Sequence, residues 1–245
     1  MSAQMNRRAV LAWLGAGCDS TALAADAETI RLARFPHSGY QYIASRIRSE
    51  VYRRVGLSVR FESMTPRRAT AEALAGRLDG EVSRVLSYAE AAPRMVRVTP
   101  AFTYFAMAGF ARRNLDIDRS GDLRKYRVGI IRGVQAAIEL AAEAKVVEQA
   151  ANSENLMQML QADRFDLALD VDINGAAVAA RLGYTEVRQV GAWMKTEGYH
   201  YLAPHRAAMG HDLSAVIGQM KPNGELERLR ASLLAEYMRN PFDPD

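Results

Sequence analysis

Five stretches of the chain carry side chains able to grip a small polar molecule. Ser83-Arg84 closes a short apolar run that starts at Gly80. A guanidinium at the end of a buried strand can hold a carboxylate through two parallel hydrogen bonds; Arg84 can equally pair with Glu81 or Glu90. Arg132-Gly133-Val134-Gln135 follows a second apolar run. Gly133 lets the backbone come close to a ligand, and the helix after it aims free N–H groups at an anion, although a plain helix-starting turn has the same composition. Asp170 ends a third run, where its carboxylate suits a ligand ammonium or a helix cap. Phe35 and His37 belong to a breaker-rich loop that leads into Tyr40, and Tyr104 lies in an aromatic run. His37 reads as a ligand contact or a solvated loop residue, and Tyr40 and Tyr104 read as apolar walls or core.

Other chemistries lack their residues. The chain has no Gly-x-Ser-x-Gly elbow, no Gly-x-Gly-x-x-Gly after the first strand and no phosphate-loop lysine. No catalytic residue is therefore assigned and no cofactor is expected. His200 and His205 flank Pro204 without a third nearby His or Cys, so no metal site is expected either. The 245 residues are 49% hydrophobic and 24% charged with a net charge of +4, ordinary values for a globular protein. The arginine doublets are scattered and not interleaved with aromatics, so nothing points to nucleic acid.

The first 24 residues read as an export signal. Asn6-Arg7-Arg8 precedes a short apolar core, and Ala22-Leu23-Ala24 offers a small-residue cleavage site. That core falls well below the roughly 20 residues needed to span a bilayer. The paired arginines suggest the twin-arginine route, and export implies a periplasmic protein. Cys18, the single cysteine, lies in this segment, so the mature chain is expected to carry no thiol.

The elements that must position these side chains alternate along the sequence. Period-2 patterning predicts strands over 29–35, 57–61 and 80–86, with helices over 40–55 and 66–78 between them. A second series predicts strands over 126–131, 146–150, 167–171 and 187–190, with helices over 136–144, 154–162 (capped by Ser153) and 174–182. Short strands over 95–99 and 198–203 and a long one over 102–110 connect the series. Helices over 212–220, capped by Asp212, and 226–238 end the chain. Alternation of this kind implies α/β with parallel strands. A helix end followed by Arg-apolar-Asp and a strand occurs twice, at Asp79 and Asp166, once in each half. The expected architecture is two lobes, residues 25–108 with 200–245 and residues 109–199, the second inserted in the first through two crossing strands that permit hinge motion.

The order of motifs resembles the bacterial extracellular solute-binding proteins of family 3. Leu74-Ala75-Gly76-Arg77-Leu78-Asp79-Gly80 is similar to the family's helix-Gly-x-x-Asp corner, and Arg97-Val98-Thr99-Pro100-Ala101-Phe102 stands where the family has Phe-Ser-x-Pro-Tyr. Asp122-Leu123-Arg124-Lys125-Tyr126-Arg127-Val128-Gly129-Ile130 resembles its Asp-Leu-x-Gly-x-x-Val-Gly-Val, and Arg164-Phe165-Asp166 its second corner. Gly133-Val134-Gln135 and Pro222-Asn223-Gly224 fall at two of its turns. The resemblance implies a type II periplasmic-binding-protein-like fold. The implied protein is a monomer that closes on a small polar or anionic solute and serves a membrane partner, an ABC-type permease or a sensor. Relatives of the fold include dehydratases of cyclic acids, for which Glu81 or Asp170 is the available carboxylate, and sensing modules that do not transport. The family's Thr-x-x-Arg, whose Arg holds an amino acid's carboxylate, is absent near Ala92, with Arg94 two residues late, and Val134 replaces the hydroxyl of the second-lobe turn.

Overall fold

The computed structural model describes residues 29–115, 117 and 122–239; the export signal and the C-terminal tail lie outside them. Strand β1 (Thr29–Arg34) turns Ile30 and Leu32 into the core and leaves Thr29 and Arg31 exposed. Helix α1 (Gly39–Arg54) follows, capped by Ser38, whose side chain accepts the Gln41 N–H, and Gly56 at φ +77° lets the chain leave it. Its buried face carries Tyr40, Ile43, Ile47 and Val51, the period read from the sequence. Strand β2 (Ser58–Ser63) and helix α2 (Pro66–Leu74) come next. Helix α2 stops short of the expected residue 78 because Gly76 takes φ +75° and turns the chain. Strand β3 (Gly80–Arg84) leads to the single turn α3 (Tyr88–Ala91).

The largest departure from the sequence reading is in the crossing strands. The strands expected over 95–99 and 102–110 form one strand, β4 (Val96–Ala111). After β5 (Arg127–Ile131), α4 (Gln135–Leu140), β6 (Val146–Ala150), α5 (Ser153–Gln161), β7 (Leu167–Val171) and α6 (Asp172–Arg181), a second merger gives β8 (Arg188–Leu202). The two long strands pair with each other from Val96↔Leu202 to Ala111↔Arg188, and that ladder keeps each continuous across Pro100 and Gly198. Pro204–Met209 form a 3-10 turn before α7 (Gly210–Met220), which starts ahead of Asp212 without a side-chain cap, and α8 (Glu225–Arg239) follows. The cap of α5 is Asn152, not Ser153: the Asn152 side chain accepts the Asn155 N–H at 2.8 Å.

All eight strands belong to one sheet in the order β2-β1-β3-β8-β4-β7-β5-β6. Its two halves repeat one plan. Strand β1 lies parallel between β2 and β3, and β5 lies parallel between β6 and β7. Antiparallel β8 then flanks β3, and antiparallel β4 flanks β7. Each half thus borrows the strand that returns from the other, giving a two-lobed mixed α/β fold on a sheet whose hydrogen bonding never breaks. In the first half, Ile30, Leu32 and Val82 pack with Ile43, Ile47 and Val51 of α1, Leu213 and Ile217 of α7 and Leu233 of α8. In the second, Val128, Ile130, Leu167 and Leu169 pack toward α4, and Ala168 and Phe165 toward α5 and α6. Each fully buried Ile or Leu adds about 1.5–3 kcal/mol relative to exposure.

Candidate functional site

The carboxyl ends of β1, β3 and β7 meet a cavity of about 390 Å³. Phe35 and Ser38 come from the loop after β1, and Tyr40 and Gln41 from the first turn of α1. Ser83, Arg84 and Val85 end β3, Tyr88 and Ala91 belong to α3, Phe105 comes from β4 and Val171 from the end of β7. Strand-end loops of an open α/β sheet are the expected place for a ligand. A groove of about 740 Å³ runs between α1, β2 and α8, but its Arg53 and Arg54 are tied to Glu50 and Glu225 and it holds none of the residues singled out for binding.

The polar floor of the cavity is built from α1 and β3. The Tyr40 and Ser83 hydroxyls lie 2.6 Å apart, and Gln41 Nε2 donates to the Ser83 carbonyl at 3.0 Å. Burial pushes the Tyr40 phenol up to about 12, so it stays protonated. The Tyr40 ring meets Phe105 edge-on at 4.8 Å. Gly198 makes this packing possible: a Cβ there would fall 2.5 Å from Ser83 Oγ and closer still to the Tyr40 hydroxyl.

Arg84 lies in the cavity wall with its charge already balanced. Its Nε is 2.9 Å from Glu81 Oε2, its Nη2 donates to Thr70 Oγ1 at 3.1 Å, and its guanidinium stacks over Tyr88 and Phe35 at 4.1 and 4.8 Å. Glu81 Oε1 accepts from the Tyr88 hydroxyl at 2.5 Å and from Thr70 at 3.0 Å. Burial raises the Glu81 carboxyl, and Arg84, Tyr88 and Thr70 pull against that rise. Of the two partners open to Arg84 from the sequence, the structure selects Glu81.

Of the residues expected to bind, Phe35, Tyr40, Ser83 and Arg84 line this cavity; the others lie elsewhere. His37 is exposed in the loop at φ +55°. Tyr104 points to the opposite face from Phe105, its ring between Lys195 Nζ at 3.8 Å and the Arg230 guanidinium at 3.9 Å. Asp170 is 3% exposed; it projects to the α5 side, where its Oδ1 accepts the Val171 N–H at 2.7 Å and Oδ2 has no hydrogen-bond partner. Strand alternation gives its place at the cavity to Val171. Arg132 and Gly133 are exposed at the end of β5, Gly133 at φ +78°; Val134 precedes α4, packing in part on the second core, and Gln135 opens that helix. His200 is buried between Tyr52 and the Glu81 carbonyl, each at 2.8 Å, and His205 pairs with Asp79.

Gln41, Tyr88, Phe105 and Val171 were not singled out from the sequence. Phe105 is next to Tyr104 in an unbroken apolar run, where composition alone does not say which neighbour faces the cavity. Gln41 could have been found, since it shares the first turn of α1 with Tyr40.

No protein-family model matches the chain, and no curated protein matches it. Solved structures do. A double mutant of the VFT2 domain of Bordetella pertussis BvgS is 17% identical, with 84% of this chain and 93% of that one covered at a TM-score of 0.66. A histidine kinase sensor domain with similarity to periplasmic binding proteins is 19% identical, with 85% and 96% covered and a TM-score of 0.66. The ancestral amino acid-binding protein AncCDT-1, a precursor of cyclohexadienyl dehydratase, is 16% identical, with 84% and 95% covered and a TM-score of 0.64. The chain thus has the two-lobed fold of periplasmic-binding-protein-like domains.

Proposed function

We propose that this protein is a divergent solute receptor of the extracellular family 3 type, which closes on a small organic molecule in the cavity between β1, β3, α1, β4 and β7. One observation carries the reading: the cavity draws its walls from both halves of the sheet, with Phe35, Tyr40, Ser83 and Arg84 on one side and Val171 on the other. One lobe is then residues 25–108 with 200–245 and the other 109–199, joined by β4 and β8. Closure about those strands buries the ligand, and the ligand's higher affinity for the closed form drives the shift.

Binding is favoured over dehydration because both candidate carboxylates are engaged or turned away. Glu81 is held by Arg84, Tyr88 and Thr70, and Asp170 faces α5. The resemblance and the N-terminal signal pattern support a periplasmic role with a membrane permease or sensor as partner. A thermal-shift screen of organic acids, amino acids and amines is expected to find a stabilising compound, and Ala91→Trp, which fills the cavity from the exposed side of α3, is expected to abolish its effect. A stabilising compound whose effect survives that substitution sinks the assignment of this cavity; its conversion to product restores the dehydratase.

A further inference from the structure

Strand β4, which gives Phe105 to the cavity, has two buried arginines against it, Arg48 over Phe102 and Arg230 at Tyr104, with no negative partner among the described residues. Arg48, on the sheet-facing side of α1, has none of its surface exposed. Its guanidinium stacks 3.5 Å over the Phe102 ring, and Nε, Nη1 and Nη2 all lack hydrogen-bond partners. Arg230 of α8 is 8% exposed and gives its hydrogen bonds to the Tyr104 hydroxyl at 3.3 Å and the Tyr104 carbonyl at 3.2 Å. Neither arginine has an ion-pair partner among the described residues. The buried carboxylates of the same half are committed elsewhere, Glu81 to Arg84 and Asp79 to Arg206 and His205.

A buried cation left without an anion is strongly unfavourable, and a fold relieves it by neighbouring dipoles or by a charge that arrives later. Burial pushes the Arg48 guanidinium down to about 9, so it remains charged at neutral pH. Both arginines act on the Tyr40 hydroxyl, opposing the rise that burial imposes on it. That hydroxyl and Ser83 Oγ form the floor of the cavity; one of their two protons is spent on the bond between them, and the other is free to be donated to an anion. Around them Phe35, Val85, Tyr88, Phe105 and Val171 are apolar or aromatic.

We infer that the cavity selects an organic monoacid with an apolar body, its carboxylate seated at the Tyr40–Ser83 pair, and that the unbalanced charge of Arg48 sets this selectivity without touching the ligand. The inference rests on the cavity being a ligand site. Arg48 is thus a specificity-determining residue, and Arg84, balanced by Glu81, is a neutral part of the wall.

The test compares acids with their uncharged amides: benzoate with benzamide, phenylacetate with phenylacetamide and hexanoate with hexanamide, by titration calorimetry at pH 7 on the full chain. Wild type is expected to bind at least one acid about tenfold more tightly than its amide. Arg48→Met is expected to erase that preference by weakening the acid alone, and Arg48→Lys to retain it. Unliganded Arg48→Met is expected to melt no lower than wild type, since it removes an unpaired buried charge; a structural arginine would melt lower. Equal binding of acid and amide by wild type, or a preference that survives in Arg48→Met, overturns the inference and leaves the cavity a ligand site. No binding by any of the six compounds overturns the reading of the cavity and the inference with it.

Discussion

The Asp79 carboxylate accepts the Arg31 backbone N–H at 2.7 Å, and the Asp79 N–H returns to the Arg31 carbonyl at 2.8 Å. Asp166 makes the same closed pair with Arg127, at 2.9 Å in each direction. Each Asp therefore locks the entry of the third strand of its half, β3 or β7, to the central strand, β1 or β5, at the end of the sheet opposite the cavity. The repeated corner builds both lobes and leaves binding to the other end. Asp79 also holds Arg206 at 2.6 Å and His205 at 3.1 Å. Truncation to Ala is expected to cost about 2–4 kcal/mol at Asp79 and about 1–3 kcal/mol at Asp166, read from urea unfolding, because buried donors lose their acceptor.

These corners also set the acid limb of stability. Burial pushes the Asp79 carboxyl up, but the Arg31 N–H, Arg206 and His205 outweigh it and hold the group below its ordinary range. Asp166 behaves likewise through Arg127. A depressed carboxylate gives stability that is present above its unfolded value, about 3.9, and is lost as pH falls through the folded one. Unfolding followed from pH 6 to pH 2 is expected to show that loss in wild type and a shallower one in Asp79→Ala. Parallel curves for the two proteins contradict the assignment.

Gly198→Ala is expected to disturb the cavity more than the fold. The added Cβ meets Ser83 Oγ at 2.5 Å, Thr103 Cγ2 at 2.9 Å and the Tyr40 hydroxyl nearer still. Tyr40 and Ser83 must separate, which loses one buried hydrogen bond and costs about 1–3 kcal/mol. Tyr40→Phe loses the same bond without the clash, at about 1 kcal/mol. Thermal unfolding of the two variants is expected to rank Gly198→Ala the less stable, and the reverse order shows that β8 yields at this point.

Much of the architecture was legible because burial is periodic. The three-to-four spacing of Tyr40, Ile43, Ile47 and Val51 marks α1, and both Arg-apolar-Asp corners are visible as words in the sequence. The crossing strands were not, because Pro100 and Gly198 read as breaks while the β4–β8 ladder that overrides them lies far away in sequence. The site was half legible. Phe35, Ser83 and Arg84 follow from the strand-end rule, and Tyr40 from its reading as an apolar wall beside that loop. Choosing Phe105 over Tyr104, or Val171 over Asp170, requires the side of a strand, and a shift of one residue reverses it. Arg48 was invisible for a different reason: an arginine on an amphipathic helix is assigned to its solvated face, and only packing reveals that this one is covered.

Asp170 carries the opposite sign to the corner aspartates. Burial raises its carboxyl to about 7, with Ser153 and the Val171 N–H pulling it back. A raised carboxyl contributes stability that is fully present below its unfolded value and is lost as pH rises through the folded one, here from about 4 to about 7. Asp170→Asn removes that dependence. It is expected to be more stable than wild type at pH 8 by about 1–3 kcal/mol, with the gain vanishing near pH 4. Chemical denaturation at the two pH values checks it, and an equal effect at both contradicts an ionisation origin.

The Glu81–Arg84 pair separates a structural charge from a binding one. Glu81 is fully buried and depends on Arg84 for its balance, whereas the Arg84 side chain is 16% exposed at the cavity and keeps aromatic partners on two sides. Arg84→Ala strands the carboxylate and is expected to cost about 3 kcal/mol; Glu81→Gln keeps the partners of Oε1 and leaves a cation that water can reach, so it is expected to cost about 1 kcal/mol. The double variant Glu81→Gln with Arg84→Ala buries no lone charge and is expected to be more stable than Arg84→Ala, giving a coupling of about 1–3 kcal/mol in a double-mutant cycle. Without Arg84 the Glu81 carboxyl rises further, so the deficit of Arg84→Ala is expected to shrink toward pH 4 and to reach its full size above neutrality. If instead the single effects add and the deficit does not change with pH, Arg84 is not paid back by Glu81, and its charge is free for a ligand in the cavity.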